Sequence, residues 1–198
     1  MKPEIEAKFL NADHDALRAR LKELGAECVQ PMRLMKRKNY DFSDGRLRKV
    51  GGWVRLRDEG GKITLSYKQL NDRTLHGTHE VSVAVSDFAS ADALLQAIGL
   101  KARTYQETKR ESWRLDEFEI ELDEWPWVKP FVEIEGPDEA GLKELAAKLG
   151  LDWRNVCHGS AEIVYRAEYD LTDEEFNGIP VVTFEEPVPD WLEQRRRP

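Results

Sequence analysis

Residues 4–8 read Glu-Ile-Glu-Ala-Lys, and this stretch decides the fold of the chain. Successive side chains of a β-strand point to opposite faces, so the charged side chains here share one face and the apolar ones share the other. The same spacing of two recurs further along the chain. It places charges at Arg55 and Arg57, at Lys68, at Glu119, Glu121 and Asp123, and at Glu133 and Glu135.

These charged strand faces have two explanations. An antiparallel sheet can show a salt-bridged polar face to water, and for a single Arg-x-Arg or Glu-x-Glu pair this is the better explanation. Five such faces in one chain favour a closed sheet whose charged faces meet in a lumen. We therefore predict an α+β fold, built on an eight-stranded antiparallel β-barrel with a charged lumen and with helices packed on the outside.

A lumen lined by both signs of charge has a defined chemistry. Arg and Lys donate hydrogen bonds to phosphoryl oxygens, and Arg can bind two of them at once. Clustered carboxylates bind hard divalent ions such as Mg²⁺ or Mn²⁺. The pattern therefore predicts a site for a polyanion and a metal ion, and a metal ion placed there could polarise a phosphoryl group.

Composition limits the function further. The 198 residues carry a formal net charge of −8, which argues against a nucleic-acid partner, because binding to a phosphate backbone rests on a basic surface. The two cysteines, Cys28 and Cys157, lack metal-ligand spacing and suggest a reducing compartment. No apolar run is long enough to cross a bilayer, so we expect a cytoplasmic protein with no membrane partner.

Periodicity and capping signals organise the chain into helices and strands. Helices are predicted at residues 11–25, 87–99 and 138–149, and strands at residues 32–41, 53–58, 62–69, 79–85, 104–115, 117–124 and 128–135. The segment 161–169 fits either a strand or a helix. Beyond residue 170 the chain is acidic and proline-bearing and ends in a short basic run, so we expect a surface tail. The predicted division is a domain of residues 1–168 and a tail of residues 169–198.

The Glu-x-Glu-x-Lys strand at Glu4, Glu6 and Lys8 resembles the hallmark of the CYTH superfamily, the triphosphate tunnel metalloenzymes. Further segments follow in the family's order over about residues 1–168. They are Trp53-Val54-Arg55-Leu56-Arg57, the strand ending at Lys68, Arg110 ahead of an aromatic residue, Leu122-Asp123, and Phe131-Val132-Glu133-Ile134-Glu135. The resemblance implies a barrel whose lumen binds a triphosphate and one or two Mg²⁺ or Mn²⁺ ions.

The resemblance also implies roles for individual residues. The metal-binding carboxylates are expected at Glu4, Glu6, Glu133 and Glu135, with Asp123 as a further ligand or water-orienting group. The triphosphate-binding cations are expected at Lys8, Arg55, Arg57, Lys68 and Arg110. Within these two sets, a part in catalysis is expected for Glu4, Glu6, Lys68 and Asp123.

Two positions depart from the family's pattern. Thr108 stands where the family often has a lysine, and the neighbouring Lys109 should face outward by strand parity, so one phosphate contact is in question. The thiamine triphosphatase branch has paired tyrosines before the aspartate of its second strand, whereas this chain has Asn39-Tyr40-Asp41. Thiamine triphosphate is therefore disfavoured as the main substrate.

Three functions remain. The leading hypothesis is divalent-metal-dependent hydrolysis of a small-molecule triphosphate, with inorganic triphosphate as the best single guess. A class IV adenylyl cyclase, which converts ATP to cyclic AMP and pyrophosphate, needs the same lumen and an adenine pocket that the sequence does not locate. The third hypothesis is a barrel that binds a triphosphate or polyphosphate without turnover. The natural substrate, the identity and number of metal ions, the role of the tail, and homodimer formation stay open.

Overall fold

The computed structural model describes residues 2–3, 5–72, 74 and 77–198 of the chain. The strands in these residues are β1 (Lys2–Pro3), β2 (Glu6–Leu10), β3 (Glu27–Phe42), β4 (Gly52–Asp58), β5 (Ile63–Leu70), β6 (Thr78–Val85), β7 (Leu100–Leu115), β8 (Phe118–Glu124), β9 (Phe131–Glu135) and β10 (Val181–Val182). The helices are α1 (His14–Glu23), α2 (Phe88–Ala97), α3 (Glu139–Leu149), α4 (Glu162–Glu168), α5 (Asp173–Asn177) and α6 (Asp190–Glu193), with 3₁₀ turns at Arg48–Val50 and Trp153–Asn155. The predicted α+β class is confirmed.

The sheet closes through its N-terminal segment. Its strands follow the order β1-β6-β5-β4-β3-β7-β8-β9-β2, and each neighbouring pair on this path is antiparallel. Lys2 in β1 pairs with Glu80 in β6, whereas Glu6 in β2 pairs with Glu135 in β9. Both ends of the path thus belong to one short stretch of chain. With β1 and β2 counted as a single broken strand, the described residues form the expected eight-stranded antiparallel barrel.

The two longest strands begin earlier than predicted. β3 starts at Glu27 rather than at residue 32, and β7 starts at Leu100 rather than at residue 104. They pair with each other from Glu27 opposite Arg114 to Phe42 opposite Leu100, with register shifts near both ends of β3. Such irregularities break the two-residue alternation, which hides the ends of the strands from a periodicity analysis.

Strand β4 shows the two-faced construction that the sequence predicts. Arg55 and Arg57 line a cavity in the barrel, while Leu56 between them is fully buried on the other side. Leu56 shares a hydrophobic cluster with Tyr40 of β3 and Leu95 of α2. Helix α2 therefore covers the outer face of β4, as the model of a charged lumen under external helices requires.

Helices α1 and α3 cover the opposite side of the barrel. Their leucines are buried against the outward-facing apolar side chains of β8 and β9. Asp13 caps α1 by accepting hydrogen bonds from the backbone N–H groups of Asp15 and Ala16, at 3.0 and 3.1 Å. Asp138 caps α3 in the same way, and Gly150 ends it in the left-handed conformation, with φ of 77°.

The outer face of β6 departs from this plan. Val81 and Val83 are 51% and 55% exposed, so no helix in the described part of the chain covers them. Helix α2 packs against β4 and β7 instead.

The C-terminal segment is folded onto the barrel. Residues 162–168 form helix α4, which settles the ambiguity over segment 161–169. Apolar side chains beyond residue 170 are buried in one hydrophobic cluster with Trp125 and Phe131 of the barrel: Leu171, Phe176, Ile179, Val182 and Leu192. The expectation of a surface tail is therefore wrong, because these side chains supply part of a core. The proposed boundary between residues 168 and 169 stays a prediction.

Two further features bear on the expectations from composition. Cys28 and Cys157 are both free thiols. Among the described residues, no helix has the length and apolar character needed to span a membrane.

Candidate functional site

The barrel encloses a cavity of about 750 Å³ that gathers most of the predicted site residues. Strands β8 and β9 contribute carboxylates, β4, β5 and β7 contribute cations, and β2 contributes one of each. The predicted residues that line the cavity are Glu6, Lys8, Arg55, Arg57, Lys68, Arg110, Glu133 and Glu135. Glu4 lies outside the described residues, and Asp123 is not among the residues that line the cavity.

Lys8 connects two of the predicted carboxylates. Its Nζ donates to Glu6 Oε1 at 2.7 Å and lies 2.9 Å from Glu133 Oε1, and the side chain is only 3% exposed. Burial alone would lower the pKa of Lys8, but Glu133 and Glu6 raise it above its ordinary value. Burial would raise the pKa of Glu133, but Lys8 and Arg110 hold it below its ordinary value. Both groups are therefore charged at neutral pH.

Asp123 faces Arg110 rather than the cavity. Arg110 donates from Nε and Nη2 to the two Asp123 oxygens, at 2.7 and 2.6 Å, and from Nη2 to Glu133 Oε2 at 2.5 Å. Asp123 is completely buried. Burial raises its pKa, and the Arg110 guanidinium counteracts that effect. The expected role of Asp123 as metal ligand or water-orienting group stays a prediction, whereas its contact with Arg110 is observed.

Crowded carboxylates form the acidic side of the cavity. Burial and the nearby Glu6 and Glu119 carboxylates raise the pKa of Glu135 to about 7. Burial also raises the pKa of Glu121, and its Oε2 atom is buried without a hydrogen-bond partner among the described residues. Like charges confined in this way favour a cation between them, and oxygen donors suit Mg²⁺ or Mn²⁺.

The donor chemistry therefore fits a divalent ion. As the side chains stand, no three His, Cys, Asp or Glu residues in the described part of the chain are close enough together to hold a metal ion. The predicted ligand Glu4 falls outside that part of the chain. Glu121 was not predicted as a site residue, although its position two residues from Glu119 on the charged face of β8 was the available signal.

Two carboxylates form ion pairs with the predicted cations of the cavity. Glu80 bridges two of the predicted cations, because Oε1 lies 3.2 Å from Arg55 Nη2 and Oε2 lies 3.0 Å from Lys68 Nζ. Arg57 Nη2 lies 2.6 Å from Glu59 Oε1. Glu80 and Glu59 both line the cavity, so these ion pairs orient the cations within it.

Arg37 is a cavity-lining cation that the sequence analysis missed. It lies opposite Arg57 in β4 and opposite Gln106 in β7. Its Nε donates to Gln106 Oε1 at 2.9 Å, and its guanidinium carbon lies 4.0 Å from the ring centroid of Trp125. Strand parity through residues 32–41 was the signal for it, since Arg37 shares a strand face with Asn39 and Asp41.

The two departures from the family pattern have distinct surroundings. Asn39 lines the cavity and donates to Thr104 Oγ1 at 3.1 Å, while the Tyr40 side chain packs in the hydrophobic cluster with α2 and donates to Asp92 Oδ1 at 2.8 Å. Thr108 is buried, and Lys109 lies over the ring of Phe184 and near Glu124. The chain therefore has an amide in the cavity where the thiamine triphosphatase branch has a tyrosine.

Fold and site together define a class of protein: an antiparallel barrel whose lumen is lined by both cations and carboxylates. A family model described as the CYTH domain matches residues 2–160, which is well over half of the chain. The protein therefore belongs to the CYTH family. A search among curated protein sequences finds no match to the chain.

Solved structures share this fold at low sequence identity. The PH1012 protein from Pyrococcus horikoshii OT3 is 20% identical with a TM-score of 0.68, covering 81% of this chain and 98% of that chain. A "putative adenylate cyclase" from Vibrio parahaemolyticus is 20% identical with a TM-score of 0.71, covering 83% and 98%. The "putative adenylyl cyclase HpAC1" from Hippeastrum, described as having a dominant triphosphatase activity, is 16% identical with a TM-score of 0.59, covering 84% and 96%.

Proposed function

We propose that the protein is a divalent-metal-dependent triphosphatase that hydrolyses a linear triphosphate, with inorganic triphosphate as the best single substrate. One observation carries the proposal: a single cavity is lined by Arg55, Arg57 and Lys68 together with Glu121 and Glu135. Neutral ligands do not need such opposed charges, whereas a phosphate chain bound together with a metal ion does. Its CYTH membership supports the same chemistry.

The cations and the carboxylates of the cavity have different roles in the proposed reaction. Arg55, Arg57 and Lys68 bind phosphoryl oxygens and offset the negative charge that develops on them. The carboxylates of Glu6, Glu121 and Glu135, with the predicted ligand Glu4, would hold Mg²⁺ or Mn²⁺, which supplies further positive charge to the phosphoryl oxygens. Water adds to the terminal phosphorus, the bridging P–O bond breaks, and phosphate and diphosphate leave.

The proposal is tested by phosphate release from tripolyphosphate with and without Mg²⁺ or Mn²⁺. We expect metal-dependent release by the wild type, and a loss of roughly 100-fold or more in Glu6→Gln, because that change removes a carboxylate from the acidic side of the cavity. Glu4→Ala should behave in the same way. Glu23→Gln, an exposed change on α1, serves as the control and should keep wild-type activity. Release by the wild type no greater than that of Glu6→Gln under either metal would refute the proposal.

Adenylyl cyclase activity is a second candidate because of the size of the cavity. About 750 Å³ lies within the range of pockets that hold drug-sized ligands, so it leaves space for more than a bare triphosphate. Neutral hydrogen-bonding groups, Asn39, Thr104 and Gln106, line part of it. Chromatography of a reaction with ATP separates the candidates, because cyclic AMP and pyrophosphate indicate a cyclase, whereas ADP and phosphate indicate a hydrolase.

A further inference from the structure

Arg37 differs from the five predicted phosphate-binding cations in its partners. Each of those five has a carboxylate within ion-pair distance: Lys8 has Glu6 and Glu133, Arg55 and Lys68 have Glu80, Arg57 has Glu59, and Arg110 has Asp123 and Glu133. Arg37 forms no ion pair with any carboxylate in the described part of the chain. It is thus a cavity cation without a charge partner.

The surroundings of Arg37 make this charge unfavourable when the cavity is empty. Burial lowers its pKa, and the nearby Arg55, Arg57 and Arg110 lower it further. A half-buried cation close to three others is destabilising unless an anion joins them. The strand pairing places Arg37 opposite Arg57, so an anion bound at this point of the cavity would reduce the repulsion between the two cations.

The orientation of Arg37 shows which of its atoms an anion could reach. Its Nε donates to Gln106 Oε1, and its guanidinium carbon lies over the Trp125 ring, 4.0 Å from the ring centroid. Nη1 and Nη2 make no hydrogen bond with the described residues, and neither atom is sealed from solvent. Two neighbouring N–H donors in one fixed plane match two oxygens of a phosphoryl group.

We propose that Arg37 is a phosphoryl-binding residue of the cavity, and that Gln106 and Trp125 are positioning residues that fix the plane of its guanidinium group. The ligand class is a linear polyphosphate group, so the inference deepens the proposed function and rests on it for the identity of the anion. The competing explanation is that Arg37 is structural, and that its contacts with Gln106 and Trp125 serve only to stabilise the barrel.

The two explanations predict opposite effects on the free protein. If Arg37 serves to bind an anion, Arg37→Met removes a charge that has no ion-pair partner among the described residues and lies near three other cations, so the melting temperature of the free protein stays unchanged or rises. If Arg37 is structural, the same change lowers the melting temperature. Gln106→Glu is a second variant, because it places a carboxylate beside Nε and should neutralise Arg37 from within the protein.

The probe is tripolyphosphate in EDTA, so that binding is measured without metal and without turnover. We expect calorimetry to show binding weakened at least tenfold in both Arg37→Met and Gln106→Glu, with a smaller rise in melting temperature on adding tripolyphosphate. Arg18→Met is the matched control. Arg18 lies outside the cavity and is paired with Glu111 and Asp15, so its loss should lower the melting temperature and leave tripolyphosphate affinity unchanged.

Failure of the inference and failure of the proposed function give different results. Wild-type binding with Arg37→Met affinity within twofold of it would overturn the role of Arg37 and leave the triphosphate site intact. Absence of binding by the wild type and by the Arg18→Met control would overturn the proposed ligand class, and the role of Arg37 with it.

Discussion

At the scale of one residue, Asp123 acts on the cavity through Arg110, although it does not line the cavity itself. Its two oxygens hold Nε and Nη2 of Arg110, and Nη2 also contacts Glu133. Nη1 is thus the terminal nitrogen of Arg110 that makes no hydrogen bond within the described residues. Asp123 therefore fixes which part of the guanidinium group is offered to a ligand.

We expect Asp123→Asn to lower the free energy of unfolding by about 3 kcal/mol, because it removes the charge of a fully buried carboxylate that binds Arg110 through both of its oxygens. Denaturation with urea measures the change. Tripolyphosphate hydrolysis should show a raised KM, since Arg110 is no longer held in place. Glu124→Gln is a control on the same strand, because its ion pair with Lys109 is long, at 3.9 Å, and should contribute less than about 1 kcal/mol. A loss of metal affinity in Asp123→Asn without loss of stability would instead favour its predicted role as a metal ligand.

Strand parity accounts for what the sequence could predict about single residues. The alternation in β4 and β5 correctly placed Arg55, Arg57 and Lys68 in the cavity. Parity also puts Asp123 on the inner face, but it does not say that Arg110 occupies both of its oxygens. Partners depend on which strands are neighbours and in which register, and one strand's sequence does not contain that information.

Among the elements of the fold, α2 contacts the barrel through one carboxylate as well as through its buried apolar side chains. Asp92 accepts hydrogen bonds from Lys38 Nζ at 2.5 Å, from Tyr40 O–H at 2.8 Å and from Gln96 Nε2 at 2.9 Å. Burial alone would raise the pKa of Asp92, but these three donors hold it below its ordinary value. Lys38 and Tyr40 belong to β3, so the ionised Asp92 joins the helix to that strand.

The lowered pKa of Asp92 gives a stability contribution with a defined pH dependence. The unfolded chain binds the proton more readily than the folded one, so the contribution is present above the unfolded value of 3.8 and is lost as the pH falls through the folded value. We expect Asp92→Asn to cost about 2 kcal/mol at pH 7 and much less near pH 2. Urea denaturation at both pH values measures this difference. An equal cost at both values would show that the charge of Asp92 is not what holds α2.

The periodicity of the sequence predicted most helices and strands, but it did not predict where every strand begins. Helices α1, α2 and α3 lie within their predicted ranges or differ from them by a residue, because Asp caps and glycines mark their ends. The first part of β3 was missed, since bulges between Cys28 and Arg33 disturb the alternation that identifies a strand. Local sequence signals a regular element well and an irregular one poorly.

At the scale of the whole molecule, the barrel and the C-terminal segment form one structure. Val181 and Val182 pair with β7, and Tyr165 and Tyr169 donate hydrogen bonds to the backbone carbonyls of Pro126 and Trp127. The sequence did not predict this packing, because the buried side chains beyond residue 170 are isolated among acidic and proline residues and show no period. Their burial depends on contact with a barrel surface far away in the chain.

Phe176 tests whether this packing is integral to the fold. It is 4% exposed, its ring centroid lies 4.5 Å from that of Tyr165, and it lines the cavity. We expect Phe176→Ala to lower the free energy of unfolding by about 3 kcal/mol, because it leaves a cavity in a shared core. Urea unfolding should remain a single transition, since segment and barrel unfold together.

Trp191→Ala is the matched aromatic control for Phe176→Ala in the same segment. Trp191 is 41% exposed, and its ring contact is with Arg195, so its loss should cost less than about 1 kcal/mol. Two separate transitions, or equal small losses in both variants, would show that residues 169–198 are a dispensable tail. A large loss of stability confined to Phe176→Ala would show that the segment belongs to the domain that forms the cavity. The Phe176 side chain would then be part of both the shared core and the cavity wall.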